Sequence, residues 1–243
     1  MKAIFLADAH LKNADDDGYR HLLHFLDTMQ AVDNLFIAGD FFDFWFCRGR
    51  RVYPEFRCII EKLVDLKERG VRIVFCEGNH DFYLGSYFSE SLGMTVFTEW
   101  ANIDLDGQKI LISHGDTVDE SDRRYLLLRK ILRSGLLYRI QRNVPLVLLW
   151  KIARLSSIIS KELSNESQNW LATKMEVFSQ EKFKEGYDAV IMGHCHKPQI
   201  KEYIVDGRRK TFATLGDWVR HHSYLYYENG HFALKYFKAN AAV

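Results

Sequence analysis

Five short polar motifs carry the residues of this chain best suited to hold a metal ion or move a proton. Asp8-x-His10 offers a carboxylate and an imidazole two residues apart. Gly39-Asp40 offers a carboxylate beside a glycine that lets the backbone bend tightly. Asn79-His80-Asp81 supplies an amide oxygen, His114-Gly115-Asp116 an imidazole, and Gly193-His194-Cys195-His196 two more. Asp8, His10, Asp40, Asn79, His114, His194 and His196 thus form a set of nitrogen and oxygen donors. Such a set suits divalent Mn, Fe, Zn or Ni and is too nitrogen-rich for calcium. One carboxylate shared between two ions would let the seven donors serve both. Two adjacent cations acidify a shared water and clamp phosphoryl oxygens, which is the chemistry of phosphate ester cleavage. His80 follows a donor and is not counted among the seven. It could stabilise phosphoryl charge or protonate a leaving group, with Asp81 orienting its ring. Cys195 should point away if its neighbours both face a metal. Each motif alone is weak, because DxH and HxH pairs arise by chance. Singly, Asp8 reads as a turn residue, Asn79 as a helix cap and His114 as a satisfied core histidine. Five motifs in one order, each after an apolar run, do not read that way.

Those apolar runs must position the motifs. Lys2–Ala7, Leu35–Ala38, Val71–Cys76, Lys109–Ser113 and Ala189–Met192 are short and rich in Val, Ile and Phe. Runs of this kind fit strands covered on both faces. Gly18–Gln30 and Pro54–Gly70 read as helices, the first with Leu22, Leu23, Leu26 and Met29 on one face. The second has Ile59, Ile60, Leu63 and Leu66 on one face, a proline near its start and a glycine after its end. Strands alternating with helices predict an α/β fold. Ligands bind such sheets at the C-terminal strand ends, where the motifs fall. Pro198–Val205, Lys210–Leu215, Ser223–Glu228 and His231–Phe237 read as strands joined by turns such as Asp206-Gly207 and Asn229-Gly230. They predict an antiparallel closing segment and two packed sheets.

The chain has 243 residues, 47% of them apolar, with a formal net charge of +1. A charge near zero gives no general argument for nucleic-acid binding, and no nucleic-acid partner is expected. Its four cysteines lack CxxC spacing and read as reduced thiols of a cytosolic compartment. The opening MKAIFLADAH lacks the apolar stretch and cleavage site of a signal peptide. No apolar run reaches the eighteen or so residues of a membrane span. Residues 123–161 stand apart. They hold ten basic residues and no acidic one, which leaves −9 on the remainder. They are also rich in Leu, Ile and Val, and read as two or three helices inserted as a cap between the fourth and fifth strands. A basic, apolar cap suits a substrate carrying both phosphate and hydrocarbon. Basic side chains near an anionic membrane contribute about 1 kcal/mol each, and each buried acyl CH₂ about 0.8 kcal/mol. The plainer reading is a solvated helical pair.

The blocks Asp8-x-His10, Gly39-Asp40-x-x-Asp43, Gly78-Asn79-His80-Asp81, His114-Gly115-Asp116 and Gly193-His194-x-His196 resemble those of the calcineurin-like metallophosphoesterase superfamily. The resemblance runs from end to end of the chain. It implies a four-layer αββα sandwich as a single domain over residues 1–243, with the helical cap inserted at about 121–165. By it, Asp8, His10 and His196 hold one divalent ion, Asn79, His114 and His194 hold another, and Asp40 bridges them. Manganese is the expected metal. Asp43 and Asp116 read equally as partners of these donors or as turn residues. His21, His24, His221, His222 and His231 have no motif context and read as structural or surface residues.

A finer resemblance points to a substrate. Gly39-Asp40-Phe41-Phe42-Asp43-Phe44-Trp45, His80-Asp81-Phe82-Tyr83-Leu84-Gly85, His114-Gly115-Asp116-Thr117 and Leu215-Gly216-Asp217-Trp218 resemble the UDP-2,3-diacylglucosamine hydrolase family. That family cleaves the pyrophosphate of a nucleotide-linked diacyl sugar in lipid A synthesis, at the inner face of the membrane. The resemblance implies a lipid-linked nucleotide substrate, an anionic membrane surface as partner, and a peripheral site on the cytoplasmic side of the inner membrane. It assigns substrate contacts to Asn79, His80, Asp122, Tyr125, Ser160 and His194. The chain departs from the pattern at His80, where many members carry Arg, and at Ser164 and Ser167, where Asn and Lys are expected. These departures touch head-group contacts and leave the seven donors intact.

Overall fold

The computed structural model describes residues 1–29, 31–159 and 165–238. Two sheets lie face to face. In the first, β1 (Lys2–Leu6), β2 (Asn34–Ala38), β3 (Arg72–Cys76) and β4 (Thr95–Phe97) run parallel. β10 (Ser223–Glu228) pairs antiparallel with β1, and β11 (His231–Tyr236) with β10. In the second, β6 (Gln108–Ser113), β7 (Ala189–Met192) and β9 (Arg208–Leu215) run parallel. β5 (Ala101–Leu105) and β8 (Pro198–Val205) close its edges antiparallel.

The burial of the strands explains the layering. β2 and β7 are buried along their whole length, as β1 and β3 are but for their first residue. Ala3, Phe5, Phe36 and Val74 of the first sheet pack on Ile110, Ile112, Ile191 and Ala213 of the second. The outer face of the first sheet packs on α1 (Asp17–Thr28) and α2 (Arg57–Glu68) through Leu22, Phe25, Ile59 and Leu63. Asp16 caps α1 by accepting from the Gly18 amide, and one 3₁₀ turn over Pro54–Phe56 leads into α2. A four-residue helix, α3 (Gly85–Phe88), follows β3. The outer face of the second sheet is covered by Ala172, Met175 and Phe183 of a twenty-residue helix, Asn165–Lys184. The order helix, sheet, sheet, helix is the expected αββα sandwich.

Three further helices precede that one: α4 (Arg123–Leu132), α5 (Gly135–Asn143) and α6 (Leu146–Ile159), so the twenty-residue helix is α7. α4 and α5 bury no residue, and α6 reaches the core through Trp150 and Ala153. Leu127, Leu128, Ile131, Leu136, Ile140, Val147, Leu148 and Ile152 of α4–α6 are all exposed.

The C-terminal strands do not form one antiparallel unit, as the sequence suggests. They divide, β8 and β9 joining the second sheet and β10 and β11 the first. β9 lies parallel to β7, because its buried residues Phe212, Ala213 and Leu215 continue the second sheet's inner and outer cores. The turns are as expected. Asp206 and Gly207 have φ of 51° and 71°, and Asn229 and Gly230 50° and 84°. Positive φ at both central residues is the mark of a type I′ hairpin turn.

Candidate metal centre

Parallel strands bring the motifs to one edge of the sandwich. Asp8 and His10 follow β1, Asp40 follows β2 and Asn79 follows β3 in the first sheet. His114 follows β6, and His194 and His196 follow β7, in the second. The two sheets are tied there by the His194 amide, which donates to Asp8 Oδ2 at 2.8 Å.

The backbone at this edge is unusual. Asp8, His10, Asp40, His194 and His196 all have positive φ, between 43° and 65°. For residues other than glycine this costs about 1–2 kcal/mol each, and such strain gathers at functional sites. The turns also need bare glycines. A Cβ on Gly78 would lie 2.1 Å from Asp40 Oδ1, and one on Gly39 2.6 Å from His114 Nδ1. Only hydrogen at those positions lets the donor-bearing loops come this close.

The side chains converge. Asp40 Oδ2 lies 3.4 Å from His114 Nε2 and 3.8 Å from His10 Nε2. Asp8 Oδ1 lies 3.5 Å from His196 Nε2 and 3.8 Å from His10 Nε2. Asn79 Oδ1 is 2.9 Å from His114 Nε2. The His10 and His196 rings stack 5.2 Å apart, and the His114 and His194 rings meet edge-on at 4.9 Å. Two donors on one ion at ~2.1 Å stand roughly 3–3.5 Å apart, close to these spacings. Asp8 Oδ1 is buried with no hydrogen-bond partner among the described residues. A buried carboxylate oxygen left so is costly, and a cation between it and the facing imidazoles would satisfy it. The donor set therefore fits divalent metal.

Charge and burial divide the histidines. Burial pushes His10 down to about 3 and His194 to about 4, so both are neutral and ready to bind metal. Burial also opposes charge on His114 and His196, but the facing carboxylates prevail. Asp40 raises His114 to about 10, and Asp8 with Asp217 raises His196 to about 9. Burial favours a neutral Asp40, yet His114 holds its carboxyl well below the usual range. Asp8 is lifted by burial to about 6.

His80 lies within the cluster, near enough to His10 and Asp40 to share an ion with them, its ring 4.9 Å from that of His10 and edge-on to it. Its Nδ1 lies 3.1 Å from the Asp43 carbonyl, which can only accept, so Nδ1 carries hydrogen. Burial works against its charge, but Asp40 and Asp43 raise it above the ordinary value. Asp81 does not orient this ring, contrary to the expectation from sequence. Its Oδ1 accepts the Asp40 and Gly78 amides and its Oδ2 those of Phe41 and Phe42, at 2.7–3.1 Å. Those four amides take the carboxylate's acceptor positions, so it joins the Asp40 loop to the Asn79 loop.

The other expected residues fall as follows. Tyr125 donates to Asp116 Oδ2 at 2.7 Å, its ring 6.2 Å from that of His194. Asp122 caps α4 by accepting from the Tyr125 amide at 3.0 Å. Ser160 lies outside the described residues. Cys195 is fully buried, away from the donors on either side. Asp43 Oδ1 is 3.8 Å from His10 Nδ1. Asp217 lies in the Leu215-Gly216-Asp217-Trp218 block, to which the sequence assigns no role. Its Oδ2 lies 3.5 Å from His196 Nδ1 and 3.0 Å from His221 Nδ1, so it backs His196 and gives His221 a partner.

Residues 1–198 match the family model described as calcineurin-like phosphoesterase. The UDP-2,3-diacylglucosamine hydrolase of Stutzerimonas stutzeri (strain A1501) is 32% identical over 226 residues, 89% of this chain and 91% of that protein. The UDP-2,3-diacylglucosamine hydrolase of Vibrio atlanticus (strain LGP32) is 31% identical over 242 residues, 97% of each chain. Among solved structures, an archaeal phosphodiesterase superposes with a TM-score of 0.48 at 14% identity, covering 98% of this chain and 100% of that one. That likeness is too distant to bear on function. The chain belongs to the calcineurin-like phosphoesterase family. It is a metal-dependent hydrolase of phosphoric esters or anhydrides. Among the described residues no helix is long and apolar enough to cross a membrane.

Proposed function

We propose that the chain hydrolyses the pyrophosphate of UDP-2,3-diacylglucosamine, releasing UMP and the diacylglucosamine 1-phosphate of lipid A synthesis. The observation that carries this reading is the surface beside the donor cluster. α4–α6 expose Leu127, Leu128, Ile131, Leu136, Ile140, Val147, Leu148 and Ile152 among the basic residues Arg123, Arg124, Lys130, Arg139, Arg142 and Lys151. An apolar and cationic face suits acyl chains and an anionic bilayer, and a soluble phosphoester would give it nothing to bind. The relatives named for this substrate support the reading across nearly the whole chain. On it, residues 1–243 form one domain whose cap spans about 121–165, working at the cytoplasmic face of the inner membrane.

Asp8, His10 and His196 would hold one ion and Asn79, His114 and His194 the other, with Asp40 between them and manganese as the metal. When bound, such ions acidify water and offset charge on the phosphoryl oxygens. The chain's own residues do the rest. Asp81 fixes the Asp40 and Asn79 loops through their amides. His80, anchored at Nδ1 by the Asp43 carbonyl, keeps Nε2 free to donate a proton to a phosphoryl or leaving oxygen. In the metal-free protein burial opposes charge on this ring, and Asp40 and Asp43 hold the proton on it.

The test is UMP release by purified protein with Mn²⁺ in detergent, comparing the diacyl substrate with a soluble UDP-sugar. The diacyl substrate should turn over far faster. No UMP from it, with metal content confirmed, refutes the proposal. Equal turnover of the two removes the role given to the helices.

A further inference from the structure

Among the described cations of residues 123–161, two do not face outward. Arg129 and Arg133 have side chains only 12% and 13% exposed. With Tyr125 they recur every four residues, so they form one stripe along α4 and its C-terminal cap. The usual arrangement is reversed: the polar stripe faces the protein, and Leu127, Leu128 and Ile131 face away from it.

The contacts of this stripe share a destination. Arg133 donates to the Gly78 carbonyl at 2.6 Å, to Glu77 Oε2 at 3.2 Å and to the Thr98 carbonyl at 3.0 Å. Its guanidinium lies 5.2 Å over the Phe82 ring. Arg129 donates to Asp116 Oδ2 at 2.7 Å and to Glu99 at 2.9 Å, and Tyr125 donates to the same Asp116 oxygen. Gly78 precedes Asn79, and Asp116 lies two residues after His114. The Tyr125 ring faces His194. Asn79, His114 and His194 are the three residues assigned to one ion.

We infer that α4 positions the half of the metal centre formed by Asn79, His114 and His194, and that Arg133 is its chief positioning residue. The inference rests on the ligand assignment proposed above. Gly78 has no slack. Its amide is held by Asp81 Oδ1 at 3.0 Å, and its Cα faces Asp40 so closely that no Cβ fits. The bond from Arg133 fixes the remaining polar atom, the carbonyl, whose peptide plane leads directly into Asn79. A shift there moves Asn79 Oδ1 off His114 Nε2, and the His80 amide off Asp40 Oδ1, which it meets at 2.8 Å. Arg129 and Tyr125 steady the His114 loop in the same way.

The experiment titrates Mn²⁺ into metal-free protein and reads the free ion by its electron paramagnetic resonance signal. Partners behind metal ligands typically change affinity by roughly 10–100-fold. In Arg133→Met one of two ions should weaken by that factor while the other keeps its wild-type affinity. Arg133→Lys, which reaches fewer acceptors, should recover part of the loss. If Arg133→Met folds poorly with Glu77 left buried, Arg133→Met/Glu77→Gln removes both charges and is read the same way. Wild-type affinity for both ions in these variants overturns the inference, and so does equal weakening of both. Asp40→Ala, run in parallel, should weaken both. If it binds both as the wild type does, the ligand assignment fails, a result separate from the Arg133 outcome.

Discussion

Asp81→Asn tests whether this carboxylate organises loops or serves the chemistry. The substitution keeps the shape of the side chain and replaces one oxygen by an NH₂ group. Asp81 accepts four backbone amides, two on each oxygen. An asparagine can keep at most the pair on its remaining oxygen, and its NH₂ then confronts the other two N–H groups. Hydrogen bonds to a charged acceptor contribute about 1.5–3 kcal/mol each, so two lost bonds cost at most about 3–6 kcal/mol, offset in part because burial and Asp40 oppose the Asp81 charge and raise its carboxyl to about 7. A domain stability of about 5–15 kcal/mol makes that a large share. With a urea slope of about 3 kcal/mol per molar, the unfolding midpoint should fall by up to about 1–2 M. The assay is urea denaturation of metal-free protein, so that no ligand contributes, followed by activity measured below the new midpoint. A midpoint shift under 0.3 M, with the pH profile of turnover altered as in a His80 variant, would refute the reasoning. Asp81 would then act on His80, and the four amides would matter little.

Two more outcomes follow from the same geometry. His80→Ala should slow turnover by roughly 10²–10⁴-fold while Mn²⁺ affinity stays near wild type; loss of metal comparable to that in Asp40→Ala would make His80 a ligand. Metal binding should also release protons. In the metal-free protein burial opposes charge on His114 and His196, but Asp40 and Asp8 lift them to about 10 and about 9. Both rings are therefore protonated at pH 7.5, and both must lose the proton to bind an ion. Affinity should keep rising with pH beyond the ordinary histidine range. Calorimetry of Mn²⁺ binding at pH 7.5, in buffers of different ionisation enthalpy, should show about two protons released; none released would mean that these rings are already neutral in the metal-free protein or are not the ligands.

The convergence of these side chains is legible in sequence because each follows a strand buried on both faces, and a continuous apolar run ending in a polar residue is plain there. The same pattern recurs once more. Leu215-Gly216-Asp217 repeats the strand–Gly–Asp form of Ala38-Gly39-Asp40, and Asp217 proves to back His196. Asp81 was misassigned because sequence adjacency suggested a side-chain partner, whereas the turn aims its carboxylate at backbone amides across two loops. β5 carries no plain strand signal although its residues alternate buried and exposed, because Asn102 and Asp104 are poor strand formers. α7 shows no clear helical stripe in sequence because Trp170 and Val177, both exposed, blur it. Nor could composition show which way the basic residues face. Arg129 and Arg133 count the same as Arg123 in a charge sum, and only the helix phase separates them.

That phase has a further consequence for α4. A helix ordinarily attaches to its protein by the apolar side. This one is fastened by its polar side, and its apolar side is left to water. A surface that binds Leu127, Leu128 and Ile131 only while the helix is fastened would favour that state without competing for Asp116 or Glu77. On the arrangement proposed here, ions at Asn79 and His114 favour the same fastened state from the other side. Linkage is reciprocal. A bilayer that tightens the grip on metal must be gripped more tightly, by the same factor, when metal is present. Were that surface a bilayer, metal loading and binding to it would be a single equilibrium, observable from either end.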